Sequence, residues 1–442
     1  MTQGQQDSPR TSALWSMGRA LRHRNYRLFF LGQGVSLIGT WMTRVATGWL
    51  VFRLAGADAA FLLGIVGFAG QLPSFFLAPF AGVLVDHWNR HRLLIATQVL
   101  SLVQSALLAW VAFRGEPGLV TIWQIVALSA LQGVINAFDM PARQAFLVEM
   151  IEQKADLPNA IALNSSLVNG ARLIGPAVAG VLIALTGEAW CFVVDAISYL
   201  AVIASLFLIR VVPRLHLGAA PPMMRRMIEG FRYAFGFAPI RALLLLLALV
   251  SFMGMPYSVL LPIFAADVLG GGPYALGFLS AATGVGALTG ALYLAARRTV
   301  LGLGRIIVVA TILFGLGLIG FALSRVLWLS LVLMMVAGFG MMVQMAASNT
   351  ILQTIVDEDK RGRVMSFYGM AFLGMAPFGS LFAGLLAHQI GAANTVLIGG
   401  IACIAGAAMF GITLPRLRVL VRPIYASLGI LPEVATGMQA AE

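Results

Sequence analysis

Twelve apolar stretches recur along this chain, each long enough to cross a bilayer, and almost all of the positive charge falls on one side of them. About 20 apolar residues span the hydrocarbon core. No water is available there, so the backbone bonds within its own segment and the stretch must be a helix. We place the spans at 28–52, 61–85, 93–113, 119–142, 160–186, 189–209, 242–266, 274–296, 306–323, 327–352, 364–387 and 393–414. Composition points the same way. Of 442 residues, 60% are hydrophobic and 10% charged, and the mean hydropathy is +0.91. A soluble domain of this length cannot hide so much apolar surface. The expected fold class is an all-α membrane protein of twelve transmembrane helices.

Orientation follows from Lys and Arg, which collect in cytoplasmic loops. With the N-terminus in the cytoplasm, twenty-four of the 29 fall inside. Only Arg53, Arg114 and Arg325 fall outside, and Arg44 and Arg172 stay within spans. The reversed topology would invert that asymmetry, so both termini are expected in the cytoplasm of a cell whose inner membrane holds the protein. The net charge of +12 is then a topology signal and a match to anionic inner-leaflet lipid. It is no nucleic-acid footprint, which needs a basic face on a soluble domain. The first 27 residues are polar and Arg-rich, without the apolar core of a cleavable signal peptide. Cys191 and Cys403 lie in or beside different spans without metal-type neighbours, and free thiols are expected. His23, His87, His91, His216 and His388 are scattered over ends and loops. They form no nucleophile or metal constellation, and no phosphate-loop motif is present. Neither enzymatic activity nor a cofactor, a metal or ATP drive is expected of this chain.

The longest interruption, roughly 210–241, divides the spans six and six. The expected organisation is a cytoplasmic segment 1–27, a six-helix half 28–210, a linker 211–241, a second half 242–414 and a tail 415–442. Within the linker, Met223–Gly236 places Met224, Met227, Ile228, Phe231 and Phe235 at helical spacing among charges. It reads as a helix on the membrane surface or as an ordinary charged linker. The halves also resemble each other. Gly133, Asp139, Arg143 and Gln144 align at one constant offset with Gly338, Gln344, Ser348 and Asn349. Each half then enters a helix holding proline, Gly175-Pro176 in the fifth span and Ala376-Pro377 in the eleventh. Duplicated halves with a site at the midplane between them are a transporter architecture.

At this point the chain resembles the major facilitator superfamily. Gly82, Asp86, Arg90 and Arg92 leave the second span as a Gly, an Asp four residues later and a basic run, which is similar to that superfamily's first signature. Asn89 and His87 stand where a second Gly and an Arg are usual. Gly170, Gly175, Pro176 and Gly180 resemble the Gly-Pro signature of its antiporters, with Ala179 replacing a Gly. Gly39 to Leu54, Ala78 to Gly82, Asn164 to Gly175 and Arg361 to Ser366 look like the enterobactin-exporter-like and macrolide-efflux-like branch, and they cover both halves. The resemblance implies the major facilitator fold of two pseudo-symmetric halves, alternating access and export by drug:proton antiport. Ser129 stands where many proton antiporters carry an Arg. Asp86 can accept hydrogen bonds from the start of the eleventh span near Gly362, and in family terms this contact ties the halves together in the outward-open state. The alternative is a solvated loop residue.

An ionisable group inside the membrane is costly and is a functional candidate by default. Arg44 lies deep in the first span with Trp41 on its face. Its head can hold an anionic or polar substrate while Trp41 stacks on an aromatic one, or it can be a structural Arg tied to a carboxylate or carbonyls. Arg172 shares a polar stripe with Ser165 and Asn169, and Gln132, Asn136, Asp139 and Arg143 form another. Asp139 and Arg143 are spaced to pair, as a gate or as substrate contacts. Asp195, in the sixth span, and Asp139 are the candidate proton carriers; Asp195 is otherwise a carboxylate balancing a buried Arg. The second half offers amides and hydroxyls instead: Gln344, Asn349, Gln353, Ser251 and Tyr257. Ion coupling is thus expected in the first half and substrate adaptation in the second. The expected partners are a small apolar or aromatic substrate (drug or siderophore), the proton gradient and the lipid bilayer, and the protein is expected to be a monomer. A lipid or lysolipid flippase and a non-transporting receptor or assembly partner are the alternatives.

Overall fold

Apolar stretches removed from water satisfy their backbone as helices, and the computed structural model is built that way through the described residues 18–116, 118–210, 231–297 and 299–430. The side chains of Ala78, Pro79, Val83, Asp86 and Asp359 fall outside that description. We number the helices α1 (Arg24–Ala55), α2 (Ala59–His87), α3 (Arg90–Arg114), α4 (Leu119–Glu149), α5 (Leu157–Thr186) and α6 (Glu188–Leu208). After the linker come α7 (Ala238–Val268), α8 (Gly272–Ala295), α9 (Leu303–Leu323) and α10 (Leu327–Ile355). The last two are α11, running from Glu358 to Ile390, and α12 (Ala392–Ser427). Among the described residues, 11 helical runs are long and apolar enough to cross a membrane. The first, Arg24–Leu77, reverses at Gly56 and so contributes two passes, α1 and most of α2.

Every predicted span is present. The differences concentrate where helices leave the apolar window at the terminus-bearing end. There α4 continues to Glu149, α11 begins at Glu358 and α12 runs on to Ser427. Composition marks where hydrocarbon ends, but helical hydrogen bonding does not stop there. Pro141, Pro415 and Pro423 are absorbed within these helices, each at the cost of a local bond. Three π turns break regularity in the second half: Val250–Gly254 and Phe264–Val268 in α7, and Met370–Gly374 in α11. Ser251 of the first donates to the carbonyl of Phe372 in the last.

The repeat seen in the sequence returns in the geometry. A single residue joins α5 to α6 and α11 to α12, and in both cases it is a glycine in a conformation that side chains oppose. Gly187 has φ 92°, ψ 164°, and Gly391 has φ 87°, ψ 156°. Gly133 sets α4 against α2, and its counterpart Gly338 sets α10 against α8. The first half packs α1 on α5 and α6, α2 on α4, and α3 on α4 and α6. The second half packs α8 on α10, and α9 on α10 and α12.

The two most extensive contacts between the halves are α5 with α8 and α2 with α11, and each has a close glycine pair. A Cβ on Gly180 would lie 2.8 Å from Gly277 Cα, and one on Gly64 would lie 2.8 Å from Gly384 Cα. Small residues permit such approaches between membrane helices. All four glycines sit towards the helix ends opposite the termini, where His388 Nδ1 also lies 3.9 Å from Asp58 Oδ1. At the terminus-bearing end the ion pairs Arg19–Asp156, Arg90–Glu149 and Lys360–Asp357 each join residues of one half. Among the described residues the halves therefore meet most closely at the face opposite the termini, and exposed polar residues such as Arg44 and Ser165 mark open space between them on the other side.

The predicted surface helix Met223–Gly236 lies outside the described residues up to 230. Residues 231–236 are helical. Phe231 and Phe235 stack with ring centroids 4.4 Å apart, and both reach Phe367 of α11. Tyr233 donates to Asp357 at 3.4 Å and carries Lys360 over its ring. The hydrogen bond and charge of Lys360 hold the Asp357 carboxyl below its ordinary range. Residues 231–236 are thus docked on the second half at its entry to α11.

The glycine seals make a prediction. Gly180→Val places a branched side chain against backbone, and overpacking of this kind costs about 1–3 kcal/mol. Spin labels at Thr186 and Tyr274 should then show a longer distance population at the expense of the short one. An unchanged distribution would mean that this contact does not hold the face closed.

Candidate functional site

A cluster of one indole and two guanidiniums stands at the middle of the open space. Trp41 and Arg44 lie one turn apart on α1, and Arg172 faces them from α5. Gly175 is what brings α5 in. A Cβ there would lie 2.5 Å from Trp41 Cβ and 2.9 Å from the carbonyl of Ile38. With the helices that close, Trp41 is bracketed. Arg44 Cζ is 4.7 Å from its ring centroid and Arg172 Cζ 5.6 Å. Cation–π contacts of this kind are worth about 0.5–2 kcal/mol, enough to orient the two heads although their like charges repel. Arg44 is exposed to the open space and Arg172 half-buried. Neither makes an ion pair or hydrogen bond among the described residues, so the structural tie that the sequence left open for Arg44 is absent. From the second half, Tyr257 comes within electrostatic reach of Arg172 while hydrogen-bonded to Thr283. Such a site can stack an aromatic group and donate several hydrogen bonds to an anionic or polar one.

The amides divide. Gln132 Nε2 donates to Asn136 Oδ1 at 3.1 Å, leaving Gln132 Oε1 buried without a partner. Asn169 Nδ2 donates to the carbonyl of Ser165 at 2.9 Å on the exposed inner stretch of α5. Asn349 accepts from Gln353 and is hydrogen-bonded with Tyr368. Gln344 departs from expectation, because it is 1% exposed and does not line the open space. Gly338 and Gly340 press α10 against α8 and α9, which turns this face inward. Gln344 Nε2 and Oε1 and Ser348 Oγ are left buried without partners.

The two embedded carboxylates have different surroundings. Asp139, 5% exposed, pairs with Arg143 and accepts from Thr97 at 2.8 Å and Gln98 at 2.7 Å. Asp195, 1% exposed, has no cation partner among the described residues. Its Oδ2 accepts from Thr43 of α1 at 2.8 Å and from Ser105 of α3 at 2.7 Å, and its Oδ1 is unpartnered. Gly39 makes room for it, since a Cβ there would lie 2.6 Å from Oδ1. The reading of Asp195 as a counter-ion to a buried Arg therefore finds no Arg. Held only by hydroxyls, this carboxyl can gain or lose a proton without breaking an ion pair.

The partners of both carboxylates disclose residues that the sequence reading passed over. Thr97, Gln98, Ser101, Gln104 and Ser105 are all buried and run down one side of α3. Their spacing is that of a helical stripe, so the signal was present as a polar face on an apolar span.

At the exit of α2, Arg90 Nη1 donates to Glu149 Oε1 at 2.6 Å and ties α3 to the end of α4. Asn89, which replaces the signature's usual Gly, caps α3 by accepting from the N–H of Arg92 at 3.1 Å. Gly82 has open space around it. The Asp86 side chain lies outside the described residues, and with it the expected contact to α11. In α5 the carbonyl of Pro176 abuts Gly277 of α8, so Gly175-Pro176 serves close packing on both sides of the helix.

Comparison with known proteins fits this geometry. Residues 16–422 match the family described as transmembrane secretion effector. The staphyloferrin A transporter of Staphylococcus aureus is 26% identical over 386 residues, covering 87% of this chain and 95% of that protein. The multidrug efflux pump Tap of Mycolicibacterium fortuitum is 27% identical over 392 residues, with 86% and 93% covered. Macrolide efflux protein A of Streptococcus pyogenes is 26% identical over 400 residues, with 87% and 96% covered. Among solved structures, an inward-facing bacterial homologue of the iron transporter ferroportin superposes with a TM-score of 0.69 at 16% identity, covering 88% of this chain and 98% of that one. An inward-facing, unoccupied bacterial homologue of the lysosomal transporter Spinster gives 0.64 at 15%, covering 92% and 98%. With twelve passes in two related halves, no enzyme among these relatives and a match over nearly its whole length, the chain belongs to the transmembrane secretion effector family of the major facilitator superfamily and is a multi-pass secondary transporter of the efflux kind.

Proposed function

We propose that this protein exports a small apolar or aromatic molecule, a drug or a siderophore, across the inner membrane by proton antiport, working as a monomer. The observation that carries the reading is the bracketed Trp41. An indole face and two guanidiniums without protein partners converge where the halves part. In the relatives named above, efflux proteins and a siderophore transporter share this family, and their cargoes motivate the substrate class.

With the termini in the cytoplasm, the exposed face of Arg44 and Ser165 supports reading this arrangement as the loading state. A substrate enters between the halves, stacks on Trp41 and receives hydrogen bonds from Arg44 and Arg172. Gln132, Asn136, Asn169 and Asn349 offer further polar contacts nearer the opening, and Gln344 joins them when α10 turns. The halves then rock about the bound molecule, the glycine seals part and the terminus-bearing face closes, with Arg143–Asp139 and the Gly82–Asp86–Arg90 loop as gating elements. Proton coupling falls to Asp195. Thr43, which holds it, is the neighbour of Arg44 in α1, so a change in the carboxyl's charge is transmitted to the substrate cluster through one peptide unit. Lipid-like cargo has no comparable observation in its favour.

Orientation is tested by reporter fusions. One after Arg90 should report the cytoplasm and one at Gly271 the outside, and the opposite pair would reverse the loading and release faces. Arg44→Ala should insert normally and weaken export by roughly ten- to a hundred-fold, since a charge-assisted hydrogen bond is worth about 1.5–3 kcal/mol. Arg44→Lys should restore little, because an ammonium cannot copy paired contacts. Wild-type export by the Lys variant would mean that charge alone matters.

Coupling has its own test. A protonophore should collapse accumulation while ATP remains. Asp195→Asn should still exchange substrate but build no gradient. Asp139→Asn should instead lose expression or folding, because it leaves half-buried Arg143 unpaired, and breaking a fully buried pair costs about 3–5 kcal/mol. If both Asn variants pump at the wild-type rate, another ion or the substrate's own charge drives export.

A further inference from the structure

The second half holds a cavity of about 230 Å³ at its terminus-bearing end, and no residue of the Trp41 cluster belongs to its walls. Its floor is apolar, built from Leu243 of α7, Leu303 of α9, Ile351 of α10, and Phe410 and Leu414 of α12. Gly304 draws α9 onto α12 there, since a Cβ on it would lie 2.7 Å from Leu414 Cδ1. The cavity has room for several waters but gives them few polar partners, so water is a poor occupant. Each floor residue lies within about a turn of the end of its apolar span, which sets the cavity at the edge of the hydrocarbon. Beyond that edge α12 runs on, and Arg418 and Arg422 line the cavity one and two turns past Leu414. They stand about 6 and 12 Å further along the axis at 1.5 Å per residue. The headgroup layer adds about 5–7 Å to each side of the hydrocarbon, so Arg418 is at headgroup depth and Arg422 can reach back to it. Both are exposed, and neither makes an ion pair or hydrogen bond among the described residues. On the loop that borders the cavity, Arg297 Nη2 donates to the carbonyl of Leu301 at 3.0 Å, and Arg297 Nε is buried without a partner. The three segments that form most of the walls, 238–249, 296–305 and 392–427, hold seven arginines and no acidic residue. Their counter-charge has to come from outside the chain.

We propose that this cavity binds one anionic phospholipid from the leaflet on the terminus-bearing side, the inner leaflet in the orientation given above. Its phosphate sits between Arg418 and Arg422, and one acyl chain lies on the apolar floor. The lipid is a resident ligand and not cargo. Guanidiniums hold phosphate oxygens by charge-assisted hydrogen bonds, often in pairs. A zwitterionic lipid carries the same phosphate, but its own cation competes with the arginines, so a net negative headgroup is favoured. A free phosphate lacks the chain that the floor accommodates. Val419, on the same stretch of α12, is an apolar side chain 71% exposed, as suits a helix bordered by lipid. Bound there, the lipid ties the extension of α12 to the inner end of α7 and to the loop before α9. Neither the cargo nor the coupling ion enters into this.

The test uses the full chain purified in detergent, with phosphatidylglycerol and phosphatidylcholine as probes and native mass spectrometry to count the lipids retained. With phosphatidylglycerol, the double variant Arg418→Gln/Arg422→Gln should retain one lipid fewer than wild type, and its apparent affinity should fall about ten-fold or more. Arg416 is exposed on the same helix but outside the cavity walls, so Arg416→Gln should retain as many as wild type. Phosphatidylcholine should not distinguish wild type from the double variant. Glycerol phosphate, a headgroup without chains, should not displace the bound lipid. Equal retention of phosphatidylglycerol by wild type and the double variant overturns the site. An equal loss in Arg416→Gln overturns it too, because general surface charge then accounts for the binding. The same one-lipid difference with phosphatidylcholine overturns the selection for an anion, and displacement by glycerol phosphate overturns the part played by the acyl chain.

Discussion

Within a few residues of one another, α1 has to pack against the Asp195 carboxylate of α6 on one side and hold the guanidiniums of its own Arg44 and of Arg172 from α5 on the other, without letting them meet. Asp195 is held against Gly39 and Thr43, while Arg44, the next residue, looks into the space between the halves. In a medium of low dielectric an ion pair between them would be hard to break. Both groups would lose their freedom: the carboxylate to titrate and the guanidinium to bind cargo. Much else follows from the need to keep them apart. Gly39 and Gly175 bring α6 and α5 onto opposite faces of α1. Hydroxyls rather than cations satisfy Asp195, and an indole rather than a carboxylate satisfies the guanidiniums.

The halves share a plan but not a chemistry. Glycines at equivalent turns and crossings show the duplication in the backbone. Yet α3 carries a buried polar stripe, whereas its counterpart α9 has Thr311 as its buried polar residue, donating only to its own helix at Ile307. The paired Asp139 and Arg143 likewise have the unpartnered Gln344 and Ser348 as counterparts. The first half thus has the means to handle charge. The second half, with its π turns in α7 and α11, has irregular helices that can repack at little cost in hydrogen bonding.

How much of this was readable follows from the type of signal each feature leaves. Spans are written in hydropathy, and their apolar extents could be placed closely. Helix ends beyond the hydrocarbon could not, since α12 passes Pro415 and Pro423 with nothing in the composition to mark its stop. The Asp139–Arg143 pair was legible because four-residue spacing is local. The bracketing of Trp41 by Arg172 was not, because it depends on how closely Gly175 lets two distant helices approach. The stripe on α3 was visible in principle, but a search weighted toward charges passes over Thr, Ser and Gln. For Gln344 the sequence supplied the polar residue and not the direction it faces, which the glycines of α10 decide.

The one-residue turns at Gly187 and Gly391 carry a consequence for motion. A longer loop would let neighbouring helices slide along each other, as a slack hinge lets a door drop. Here α5 and α6, and likewise α11 and α12, are clamped end to end with no slack, so neither pair can shear. Each must travel as a stiff V, its apex at the sealed face and its arms reaching toward the opposite side. Any displacement at an apex is then carried as leverage down two helices at once. Sliding of one arm along the other is opposed by chain length, and relative motion within each pair is confined to rotation about its glycine.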